Sequence, residues 1–169
     1  METIVNKVAE SGIITLDLTR YLPAGASMAE FDLRPFLFRE MILREKDFRE
    51  ALKAFDWTVY DGKHVTITCS ADAIIPMWAN MLVASGLQGH AQSVHFGSAD
   101  MLNEKLLLQA LDSIDLQEYA DKRVVIKGCG DVSAPAGAYV KITALLQPIV
   151  KSLMYGEPCS TVPVYKKKA

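Results

Sequence analysis

The chain has 169 residues, half of them apolar and 22% charged, an ordinary balance for a folded protein with room for a substantial core. Its 18 Lys and Arg against 20 Asp and Glu leave a net charge of −2, which excludes a global field that would recruit nucleic acid or an anionic membrane. No stretch approaches the roughly 18 consecutive apolar residues of a membrane span. The opening METIVNKVAESG carries two acids and no long apolar region, so it does not read as a signal peptide. The expectation is one cytoplasmic domain over residues 1–169 that meets neither nucleic acid nor membrane. The lysines at 166–168 read as a solvated terminus.

Strand and helix patterns alternate along the chain. GIITLDL (12–18) alternates apolar and polar residues and precedes a turn at Pro23 and Gly25, and MAEFDL (28–33) reads as a second strand. EKDFREALKAF (45–55) sets Phe48, Leu52 and Phe55 on one helical face with charges opposite. HVTIT (64–68) is a strand, and ADAIIPMWANMLVASG then reads as a helix with Ser70 as cap and Gly86 as stop. QSVHF (92–96) is a strand, followed by the helix ADMLNEKLLLQALDSI with Ser98 as cap. RVVIK (123–127) is a strand, APAGAYVKITALLQPIVKSLMYG a long helix ending near Gly156, and TVPVYK a closing edge strand. Pro76 and Pro148 sit inside helical patterns and predict kinks or irregular ends. Strands separated by helices of ten or more residues predict an α/β fold with a mostly parallel sheet flanked by helices.

Residues 56–79 resemble residues 115–138 at an offset of 59. Asp56 meets Asp115, Tyr60 meets Tyr119, Val65 meets Val124, Ile67 meets Ile126, and Pro76 meets Pro135. The chain thus predicts two related strand–turn–helix units, with 65–67 and 124–126 as parallel strands of one sheet. Each unit ends its strand in a Cys followed by an Asp, as CSAD and CGD. On this reading Asp72 and Asp131 occupy the first turns of their helices, where the dipole favours an acid.

Three cysteines, Cys69, Cys129 and Cys159, stand in Gly-, Pro- or Ser-bounded turns at element ends. A reducing cytosol argues against a disulfide framework, and an odd count leaves one over. Thiolates suit zinc and iron–sulfur clusters, so the metal reading takes the three cysteines as ligands, with Asp72 or Asp131 completing the set. The absence of any C-x-x-C pair means that all ligands would come from separate loops. A thiol-dependent enzyme is the rival, and it needs a base such as His64, His90 or His95 beside a cysteine. A partner-binding module with packed cysteines is the third reading.

TCSADAIIPMWA, VVIKGCGD and LMYGEPCSTVPVYK, together with LREKDFR and YDGK, resemble the signature segments of a bacterial family of unknown function, DUF2480. The resemblance covers nearly the whole chain. The family brings no established activity. The resemblance implies only an association with iron–sulfur assembly, and with it a protein partner in metal–sulfur metabolism.

Overall fold

The computed structural model describes residues 12–127, 134–157 and 160–168. Cys129, Asp131 and Cys159 lie outside them. Among the described residues run β1 (Ile13–Leu16), β2 (Met28–Asp32), α1 (Glu45–Lys53), β3 (His64–Thr68), α2 (Met77–Gly86) and β4 (Ser93–Phe96). They are followed by α3 (Ala99–Leu111), β5 (Arg123–Ile126), α4 (Ala136–Leu146), β6 (Ser152–Glu157) and β7 (Ser160–Lys166). The fold is α/β with mostly parallel sheets. No helix among the described residues is long and apolar enough to cross a membrane. The chain forms two compact units, a terminal one from Met1–Leu22 and Glu104–Ala169 and a central one from Pro23–Asn103.

The central unit holds the all-parallel sheet β2–β3–β4. Alternation along β3 sends Val65 and Ile67 into a core with Phe31, Phe48, Leu52, Ala79 and Val83, while His64 and Thr66 point to the other face. Helix α1 buries Phe48 and Leu52, four residues apart, and its exposed side carries a Glu45–Arg49 ion pair at 2.9 Å. Helix α2 begins at Met77, not at Ser70 as the sequence suggests, and its N-cap is Pro76. The cause is steric: a proline disfavours helical backbone at the residue before it, so no helix can run through Ile75 into Pro76. Asp72 therefore lies in the β3–α2 loop, outside any helical turn.

The terminal unit holds the sheet β1–β5–β6–β7, parallel except for the antiparallel β6–β7 pair. Strand β7 is the expected edge strand. Strand β6 replaces the end of the expected long helix, which stops at Leu146. Pro148 has no N–H to continue the helical ladder. Val150 and Leu153 extend the helical spacing of Ile142 and Leu146 in the sequence, yet they reach the same core from the connecting segment and from a strand.

Residues 65–67 and 124–126 lie in different sheets, which corrects the expectation of one shared sheet. Each is the middle strand of its own parallel set, taking β2 or β1 as its first neighbour. The segment between β1 and β2 is too short to carry the helical crossover that parallel neighbours need, and the two strands go to separate sheets. Within each unit the offset of 59 is kept to the residue. His64 pairs with Ser93 and Arg123 with Ser152, and each helix follows its proline, α2 after Pro76 and α4 after Pro135. The backbone bond from Gly62 N–H to His90 C=O, 2.9 Å, recurs from Asp121 N–H to Ile149 C=O at 2.8 Å.

Candidate ligand site of the central unit

The carboxyl end of β3 delivers Cys69 and Ser70 into the loop before α2, and Asp32 at the end of β2 fixes that loop. Its Oδ1 accepts the Ser70 N–H at 2.9 Å and the Arg34 N–H at 3.0 Å, and its Oδ2 accepts the Ser70 hydroxyl at 2.5 Å. Burial pushes the Asp32 carboxyl up, but the Ser70 and Arg34 hydrogen bonds and the Arg34 charge outweigh it and hold the group below its ordinary range. Asp17, in the same place at the end of β1, behaves alike. Bonds from the Thr19 hydroxyl and N–H, with Lys127 3.6 Å away, lower its pKa against the opposing effect of burial.

Beside this anchored loop lies a pocket of about 370 Å³. Leu33, Ile67 and Ile75 make it apolar, and Cys69, Asn80 and Ser98 are among its polar lining residues. The Cys69 thiol is half-buried, packs against the central core and donates a long 3.5 Å hydrogen bond to the Ala71 carbonyl. The Asn80 side-chain oxygen is buried and has no hydrogen-bond partner among the described residues. Ser98 caps α3 as its sequence position predicts, its hydroxyl accepting the Met101 N–H at 3.3 Å, so the start of that helix forms part of the wall. Met77 and Phe96, 73% and 70% exposed, also line the pocket. An open, mostly apolar recess with a few convergent polar groups, at the carboxyl edge of parallel strands, is where open α/β folds collect small ligands.

Of the residues expected to hold metal, Cys69 is at this site, and Asp72 is exposed in the same loop. No group of three His, Cys, Asp or Glu able to hold a metal ion occurs among the described residues. The imidazoles stand apart from Cys69. His64 is five residues back along β3, about 16 Å at 3.3 Å per residue. His95 pairs with Thr66, on the sheet face opposite the one Cys69 continues. The two rings bind one hydroxyl, Ser93 Oγ, each at 2.7 Å. His90 pairs with Asp61 at 2.7 Å. None of the three histidines therefore stands beside Cys69 along its strand and face.

Asp32 and Asn80 were not legible as site residues. The one trace in the sequence is the repeated Asp-Leu, Asp17–Leu18 and Asp32–Leu33, each closing a first strand. No curated protein and no solved structure matches the chain. The family model described as Protein of unknown function (DUF2480) matches residues 2–167, nearly the whole chain, and the protein belongs to that family.

Proposed function

We propose that the protein is a binding protein whose central unit takes a small, largely apolar molecule at the carboxyl edge of its sheet. The observation that carries this reading is Asn80, which lines an apolar pocket and whose buried amide oxygen has no partner among the described residues. A buried acceptor left unpaired costs about 1–3 kcal/mol, which a ligand carrying one N–H or O–H donor would recover. Indole, an apolar ring with a single N–H, is a suitable probe. Its addition should shift the amide resonances of residues 68–77 and 96–98, and Asn80→Leu should weaken it about tenfold. Shifts elsewhere, or an affinity that Asn80→Leu leaves unchanged, would refute the site.

A second reading is favoured by the half-buried Cys69 thiol in the same pocket. Cys69, with Cys129 and Cys159 and with Asp72 or Asp131, would hold zinc or an iron–sulfur cluster, and the protein would serve metal–sulfur metabolism with a protein partner. Anaerobic purification with elemental analysis tests this: Cys69→Ala should lose bound zinc or iron while keeping its fold.

A further inference from the structure

The terminal unit has a second recess, of about 380 Å³, with a different chemistry. Its floor includes Ile13, Met154 and Pro163, and its wall carries four cations, Arg123, Lys151, Lys166 and Lys167. Register places them. Arg123 pairs with Ser152 and Ser152 with Lys166, so Arg123 and Lys166 rise from the same sheet face, two strand spacings or roughly 10 Å apart. Lys151 and Lys167 sit just beyond the paired ends, joined by the Lys167 N–H to Lys151 carbonyl bond at 3.0 Å.

The cations are poorly balanced. Lys167 lies 3.3 Å from Asp121, and among the described residues Arg123, Lys151 and Lys166 have no acidic partner within 4.0 Å. A chain of net charge −2 thus gathers four of its 18 Lys and Arg around one apolar-floored pocket. Like charges at such spacing repel, and an anion between them would relieve that repulsion. The fold itself does not require them. The equivalent positions of the central unit, 59 residues earlier, hold His64 for Arg123 and Gln92 for Lys151, with Ser93 for Ser152. The terminal unit alone therefore builds a cationic rim on this shared frame.

We propose that this recess binds a small amphipathic anion: a phosphate or carboxylate head held by Arg123 and the lysines, on an apolar body resting against Ile13, Met154 and Pro163. The volume fits a free small molecule, and an anionic lipid head group shares the head chemistry. Calorimetric titration of the full chain with octyl phosphate below its micelle concentration tests the proposal. One octyl phosphate should bind per chain, more tightly than octanol or inorganic phosphate, and should weaken as salt rises from about 0.05 to about 0.5 M. The exposed pair Arg123→Gln/Lys166→Gln should keep the wild-type circular dichroism and lose about tenfold or more in affinity. Lys105→Gln, exposed on α3 and outside the recess, should bind as wild type. Asn80→Leu should also leave octyl phosphate binding intact, which separates this site from that of the central unit. Octyl phosphate binding no better than octanol, or equal binding by the double variant, would overturn the proposal. So would capture by phosphatidic acid vesicles without binding of the monomeric octyl phosphate.

Discussion

Asp32 holds Ser70, 38 residues further along the chain, by two hydrogen bonds, and so fixes the loop that presents Cys69. A carboxylate accepts such bonds more strongly than an amide. Asp32→Ala should cost about 1 kcal/mol, a modest value because the partners reach solvent, and Asp32→Asn should cost less. The lowered pKa of Asp32 sets the pH dependence. A carboxyl whose pKa is depressed on folding stabilises above its unfolded value of about 4 and loses that contribution as pH falls through the folded value. The stability gap between wild type and Asp32→Asn should therefore narrow below about pH 4 in thermal unfolding. A gap of constant size from neutral to strongly acid pH would rule this out.

Gly62 and Asp121 occupy equivalent turns before β3 and β5, and both are left-handed, with φ of 69° and 55°. Only the first is the residue that such a backbone favours, though aspartate tolerates the region better than most. Open space surrounds the position of a Cβ on Gly62, so the cost of Gly62→Ala is conformational, about 1 kcal/mol. Asp121→Gly should be neutral or stabilising, since relief of φ offsets the exposed Lys167 contact. Urea unfolding of the two variants checks both signs.

A Cβ on Gly86 would collide with the indole of Trp57. The equivalent pair in the terminal unit is Leu145 and Leu116, both packed against its core, so one frame is filled by Gly with Trp in one unit and by two leucines in the other. Gly86→Ala should cost about 1–3 kcal/mol by overpacking. Adding Trp57→Leu should recover part of that loss, with a coupling energy that a double-mutant cycle can read. Strict additivity of the two changes would show that the ring does not constrain the glycine.

These pairs also show what the sequence made legible. The strands β1, β2, β3, β4, β5 and β7, the buried face of α1 and the Ser98 cap follow from local periodicity and cap chemistry, which act within a few residues. Strand β6 was hidden because Val150 and Leu153 continue a helical spacing, and only Pro148 hinted at the break. The start of α2 was set by Pro76 against a plausible Ser70 cap, and Ser70 bonds Asp32 instead. The partition into two sheets depends on which first strand each repeat takes, which no local pattern encodes. Asn80 became a site residue only through the cavity beside it, a tertiary property.

Thr66 and Val125 are the buried centres of the two equivalent strands, 1% and 0% exposed, alike in shape and different in chemistry. The Thr66 hydroxyl donates to the Gly97 carbonyl at 2.8 Å, where the chain leaves β4 with φ of 126° and enters the wall of the candidate pocket. Its counterpart Gly156, with φ of 121°, lies inside β6 and pairs with Thr161 of β7. The terminal unit therefore uses an added strand where the central unit uses a hydroxyl. Exchanging the side chains should destabilise in both directions. Thr66→Val deprives the Gly97 carbonyl of its donor at a cost of about 1–2 kcal/mol, and should weaken indole binding because Gly97 shapes the pocket. Val125→Thr buries a hydroxyl in a site built for a methyl group, at about 1–3 kcal/mol. Chemical denaturation of the two variants, with the indole titration repeated on Thr66→Val, provides the check. A Thr66→Val protein as stable as wild type, with full indole affinity, would mean that the hydroxyl neither holds Gly97 nor shapes the pocket.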